Sequence, residues 1–219
     1  MLYVLKNSKS DFYPKHQFPE EAVNEFIKCP HCKIGPGSSW DIQSFGVQAG
    51  SRWPDFLPIG NFIVVSDVVV EVLKKNDIKG YVIGSKVSIR MYGNKYTSEP
   101  INYHCLLVTY GNVACANNSS GSYYTDSGYT RKRACDLHGV CRYCSFVDDG
   151  GPSMLEIDKL EIDYSTWNDS DISVCCSYVL VSGKLAKLFV LNKFTNVGVY
   201  KIADAWDWNA RPLGIRDLA

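Results

Sequence analysis

Four cysteines in two Cys-x-x-Cys pairs, Cys29-Pro-His-Cys32 and Cys141-Arg-Tyr-Cys144, are the residues of this sequence best suited to chemistry. Two thiolates spaced by two residues reach one ion because a tight knuckle turn brings both sulfurs to the same side. Two knuckles complete a tetrahedral zinc site with no open position, the mark of a structural rather than a catalytic metal. Cys135 and His138 stand just upstream of the second pair and are candidate substitutes for one of the distant ligands. His31, inside the first knuckle, is read as solvent-facing. A buried thiol pair without metal and a thioredoxin-like redox pair are the alternatives, the second disfavoured because neither pair sits between a clear strand and a long helix.

The other cysteines offer less. Cys105, Cys115, Cys175 and Cys176 fall in or beside apolar stretches and read as small core residues. His104 adjoins Cys105, but neighbours on a strand point to opposite faces, so the pair is no nucleophile and base. No phosphate-cradling glycine loop, HExxH helix or G-x-S-x-G elbow is present, and a non-enzymatic protein is expected.

Composition sets the frame around these groups. With 219 residues, 46% apolar and 21% charged, the chain can bury a sizeable core without a metal to rescue it. A single compact unit over 1–219 is expected. The formal charge of zero gives no global field for nucleic acid or anionic lipid. Between Asp148 and Asp171, however, eight acidic residues meet only Lys159, which makes this run a candidate docking surface for a basic partner, with Asp149, Glu161 and Asp169 as its contact residues. The N-terminus lacks the apolar stretch of a secretory signal and no apolar run is long enough for a membrane span, so the expected compartment is the cytoplasm, where thiols stay reduced.

The elements that must position the cysteines are legible in outline. Leu2–Leu5 reads as a strand. Pro19–Ile27, with proline and glutamates at its start and apolar residues on one face, predicts a short helix leading into the first knuckle. Residues 35–60 read as irregular, anchored by Trp40, Phe45, Trp53 and Phe56. Phe62–Val65 predicts a strand, Ser66 or Asp67 a helix cap, and Tyr81–Ile83, Lys86–Arg90 and Tyr103–Tyr110 further strands. Asn117–Thr130, rich in Asn, Ser, Gly and Tyr, reads as an exposed excursion. Ser177–Val181, Ser182 and Leu185–Leu191 repeat the order of strand, cap and helix, and Asn196–Ile202 adds a strand.

That order recurs at a fixed distance. The knuckles are 112 residues apart and Ser66 and Ser182 are 116 apart. The expectation is a degenerate duplication with halves 1–116 and 117–219: an α+β protein in which each half is a small mixed β-sheet with a helix, joined at a zinc-ribbon-like double CxxC site.

The early CPHC, the segment KGYVIGSKVSI, the later CRYC and then MLEIDKLEIDYS, YVLVSGKLAKLF and TNVGVYKI resemble the double-CxxCG-motif proteins of myxobacteria, which are similar to a wider set of bacterial immunity proteins against polymorphic toxins. Lys33 and Ser145 stand where that motif carries glycine. The resemblance implies a cytoplasmic, non-enzymatic antidote that binds a cognate protein toxin, with its zinc knuckles at Cys29, Cys32, Cys141 and Cys144. The alternative from the residues is a zinc-ribbon nucleic-acid-binding or regulatory protein. It would use Arg131-Lys-Arg133 and Arg142 on phosphates and Tyr123, Tyr124, Tyr129 and Tyr143 for stacking, and the neutral charge disfavours it.

Overall fold

The computed structural model describes residues 1–7, 16–23, 28–33, 39–48, 52–57, 63–92, 101–109, 112–116, 119–125, 128–132, 141–144, 156–176, 178–204, 207 and 209–218. In chain order, the first part runs β1 (Leu2–Lys6), β2 (His16–Val23), β3 (Asp41–Gln48), β4 (Val64–Ser66), α1 (Asp67–Lys75), β5 (Tyr81–Tyr92) and β6 (Tyr103–Val108). Then follow β7 (Ala114–Cys115), β8 (Ser120–Thr125), β9 (Gly128–Lys132), β10 (Glu156–Lys159) and β11 (Ile162–Asp163). The last part holds β12 (Ile172–Cys175), β13 (Tyr178–Ser182), α2 (Gly183–Asn192) and β14 (Gly198–Lys201). The class is α+β.

Two sheets carry the architecture. One has the strand order β2-β3-β5-β6-β4, antiparallel except for the parallel pair β3 and β5, and the other has the order β12-β13-β1-β14, antiparallel throughout. In the first, β6 lies between β4 and β5, pairing Tyr103 with Ser66 and Leu106 with Ile83. In the second the same place is taken by β1, which pairs Leu2 with Ser182 and Leu5 with Val199. The central strand of the sheet built from residues 172–201 is thus supplied from the far end of the sequence. A three-stranded sheet β10-β8-β9 and the pair β11-β7 complete the described strands.

Helices α1 and α2 enter the core through matching faces. Val69, Val70 and Leu73 of α1 and Leu185, Ala186 and Phe189 of α2 are buried in one cluster, and each second-half residue follows its counterpart by 116 positions. Full burial of a Leu or Phe side chain contributes roughly 1.5–3 kcal/mol, so this shared cluster is the main attraction between the two units. Phe56 meets Phe189 and Phe194 at centroid distances of 5.3 and 6.1 Å, with edge-to-face or tilted rings.

The hydrogen bonds repeat at the same offset and cross between the units. Ser66 lies at the N-cap of α1, its N–H donates to Asp55 O (2.9 Å) and its hydroxyl to Asp55 Oδ1 (3.0 Å). Ser182 at the N-cap of α2 makes the same two bonds to Asp171 (2.8 and 2.6 Å). The second oxygen of each carboxylate then reaches the other unit. Asp55 Oδ2 accepts from the N–H and hydroxyl of Thr195 (both 2.8 Å), and Asp171 Oδ2 accepts from the N–H of Lys79 (3.0 Å). Thr195 stands 116 positions after Lys79, as Asp171 does after Asp55 and Ser182 after Ser66. Left-handed residues coincide too: Asp77 with Lys193 beyond the helices, and Gly80 (φ 101°) with Asn196 (φ 61°).

Three sequence expectations are corrected. Pro19–Ile27 is not a helix: its described residues belong to β2, an edge strand with register shifts at Pro19/Glu21 and Glu21/Ala22. A sheet edge with bulges tolerates a residue without an N–H, and pairing with β3 overrides a helical pattern only a few residues long. Residues 35–60 are not all irregular, because Asp41–Gln48 forms β3 with Ile42, Phe45 and Val47 fully buried. The Asn117–Thr130 stretch carries a β-hairpin, β8 and the start of β9, in keeping with the strand preference of Tyr and Thr.

Candidate metal centre

Each knuckle is a short turn whose backbone points at its own first cysteine. Lys33 N–H donates to Cys29 O at 3.0 Å, closing the first turn, and Lys33 itself adopts φ 63°. The position after the first turn therefore lies in the left-handed region that favours glycine, and a lysine occupies it. Backbone N–H groups of His31 and Cys32 aim at the Cys29 sulfur, and those of Tyr143 and Cys144 aim at the Cys141 sulfur.

The second knuckle is bolted to its surroundings through Arg142. Its guanidinium donates from Nε and Nη2 to Cys115 O (3.0 and 2.8 Å) and from Nη2 to Asp163 Oδ2 (2.9 Å), while Cys115 N–H donates back to Arg142 O (3.0 Å). Cys176 N–H donates to Tyr143 O at 3.2 Å. Hydrogen bonds from Ser165 and Arg142 hold the Asp163 carboxyl below the usual carboxylate range.

The structure brings all four knuckle sulfurs together. They lie within 4.8 Å of one another, with Cys29 and Cys141 Sγ 3.9 Å apart and Cys32 and Cys144 Sγ 3.6 Å apart. A tetrahedron with metal–sulfur bonds of about 2.3 Å has edges of about 3.8 Å, so the spacing fits one four-coordinate ion and the set could hold a metal. Cys29 is fully buried, Cys144 is 4% and Cys141 9% exposed, and Cys32 is half-buried at the mouth. Three of the four belong to the core cluster shared by α1 and α2, so the centre sits where the two units meet.

Charge within the cluster is uneven. The Cys144 thiol, hydrogen-bonded to the Cys141 sulfur, brings the Cys141 pKa down to about 5 against the opposing effect of burial, with the turn N–H groups assisting. Burial pushes Cys29 up, and the neighbouring sulfurs add to the rise. One thiolate thus forms readily and makes the next harder to form, and a cation at the centre of the set removes that penalty.

The remaining candidates separate clearly. Cys135, His138 and Asp149 lie outside the described residues. His31 is exposed and stacks face to face on Tyr143. Glu161 pairs with Lys159 at 2.5 Å, and Asp169 is exposed with φ 61°. Asp171, the last member of the acidic run, is the buried brace of Ser182 and Lys79, a role its place in a charged stretch concealed. Cys105, Cys115, Cys175 and Cys176 are all buried. The Cys105 thiol, pushed up to about 12 by burial, donates to Trp40 O, while the adjacent His104 meets Asp67 at 2.7 Å. No described helix is long and apolar enough to cross a membrane. No protein-family model matches the chain, and no curated protein matches it.

Proposed function

We propose that this chain is a zinc-braced, non-enzymatic binding protein of the cytoplasm that neutralises a cognate bacterial toxin domain. The observation that carries the reading is the closed donor set: four sulfurs at tetrahedral spacing, mostly buried, supply every position of a four-coordinate ion. Zinc suits such a set and would act there by cross-linking the two knuckles, leaving binding to the rest of the surface. The toxin-immunity reading draws on the resemblance of the knuckles and the repeated strand, serine and helix segments to the double-CxxCG and immunity proteins. The nucleic-acid alternative loses a contact residue, since Arg142 is directed at Cys115 and Asp163.

Within the acidic run, Asp163 and Asp171 serve the fold, and Asp149, Glu161 and Asp169 stay the proposed docking residues. The test is co-expression with a toxin encoded beside the gene. Growth rescue and a copurifying complex are expected, with Glu161→Lys and Asp169→Lys slowing association and leaving the melting curve unchanged. Absence of rescue and of a complex would overturn the immunity reading. Unaltered association by the charge reversals at low and moderate salt would remove the acidic run from the interface. Elemental analysis should find about one zinc per chain; the visible absorption of an iron–thiolate centre would replace zinc by iron.

A further inference from the structure

The hairpin of β12 and β13 has Cys175 and Tyr178 as its last pair, and Cys176 opens its short connection. Such loops favour Gly, Asn or Asp because their backbone enters the left-handed region, and Cys176 does so with φ 51°. A side chain there is strained. The sequence counterpart 116 positions earlier is Gly60, the residue type such a backbone favours, and here a thiol stands in its place. Something other than the turn holds cysteine at this place.

Its neighbour supplies the reason. Cys175 and Cys176 Sγ lie 3.8 Å apart, both buried, and both thiols donate to Arg142 O, at 3.9 and 3.5 Å. That carbonyl lies inside the second knuckle, between Cys141 and Cys144, and the Cys176 N–H holds the next carbonyl, Tyr143 O. Two adjacent thiols in contact, at a strained hairpin tip and tied to a metal knuckle, form a unit distinct from the four-sulfur set.

We propose that Cys175 and Cys176 are a reversible vicinal thiol–disulfide pair, oxidised by peroxide-class oxidants, whose state sets how firmly the second knuckle is held. One thiol, as thiolate, attacks the peroxide O–O bond, giving a sulfenic acid and one water. The adjacent sulfur then displaces the sulfenic oxygen as a second water and the S–S bond closes. Two electrons pass from sulfur to peroxide, and both thiol protons leave in the waters. Both S–H donors to Arg142 O are lost, leaving the Cys115 N–H on that carbonyl, so the oxidised knuckle is held by fewer bonds. Burial of both sulfurs admits a small oxidant on local opening of the hairpin tip and excludes bulky disulfides. The proposal is independent of the toxin reading.

The metal-loaded full chain is treated with hydrogen peroxide, alkylated and digested with trypsin. The peptide Leu160–Lys184 contains these two cysteines and no other. It should appear unalkylated and lighter by two hydrogens, revert to the doubly alkylated form after dithiothreitol, and remain reduced when a bulky aromatic disulfide replaces peroxide. Cys175→Ser should stop at a sulfenic or higher oxide on Cys176. Metal transfer to a chelator should be several-fold faster from the oxidised chain. A doubly alkylated peptide under peroxide that oxidises the knuckle peptides, or its recovery joined to another peptide, would overturn the pair. Unchanged metal transfer from chains carrying the disulfide would overturn its coupling to the knuckle.

Discussion

His31 and Tyr143 lie face to face, ring centroids 3.5 Å apart and planes 2° from parallel. Each is the third residue of its knuckle, so the stack joins the two turns at corresponding positions, as the contacts of Cys29 with Cys141 and Cys32 with Cys144 do. It ties the two turns to each other beside the four sulfurs.

His31→Ala should therefore speed metal release to a competing chelator by roughly threefold to tenfold, from a stacking contribution of about 0.5–1.5 kcal/mol. His31→Phe should restore the slow rate. Equal rates for the wild type and both variants would show that the stack does not hold the knuckles.

Chelation, or Cys29→Ser or Cys144→Ser, should lower the melting temperature sharply, because a structural zinc site contributes at least several kcal/mol to folding. Differential scanning calorimetry of metal-loaded and metal-free protein checks this.

Gly80→Ala should be among the most damaging exchanges of small residues. A Cβ there would stand 2.3 Å from Ile172 O and 2.9 Å from Ser170 Cβ, at φ 101°. The backbone of the other unit cannot retreat without breaking the Lys79–Asp171 bonds, and a loss on the order of 2–3 kcal/mol should appear in urea unfolding.

Lys33→Gly should do the opposite, raising stability by up to about 1 kcal/mol, because glycine occupies φ 63° without the side-chain clash lysine suffers. Reduced stability would mean that the lysine side chain contributes more than its backbone strain costs.

Asp163 links stability to pH. Its folded pKa is depressed by Ser165 and Arg142, so its contribution is complete above the unfolded value near 4 and fades as pH falls through the folded one. The difference in melting temperature between wild type and Asp163→Asn should be full at pH 6 and close progressively below about pH 4.

Much of this arrangement was open to sequence reasoning because it is local. A two-residue spacing is enough to bring two thiolates to one side of a turn, and apolar strand, serine and amphipathic helix are contiguous signals for both α1 and α2. What escaped depends on partners distant in the chain. β2 carries a helical pattern and becomes a strand only through β3, and β3 is flanked by glycine- and serine-rich segments that mask it. Asp171 reads as one more surface carboxylate until Ser182 and Lys79 close on it. Ser66 stands at the helix cap, as expected, but its hydroxyl turns to Asp55 rather than to its own helix.

The place of β1 governs the order in which the molecule can assemble. The first sheet draws on segments that follow one another along the sequence, and β4, β5 and β6 can pair as soon as residue 108 is available. The second cannot: Leu2–Lys6 must be kept in reserve until β13 and β14 exist to flank it. During that interval a short, almost wholly apolar strand has no native neighbours, and closing the sheet costs the entropy of a loop that encompasses most of the chain. The step that brings β1 home should be slow, late and the one most exposed to aggregation.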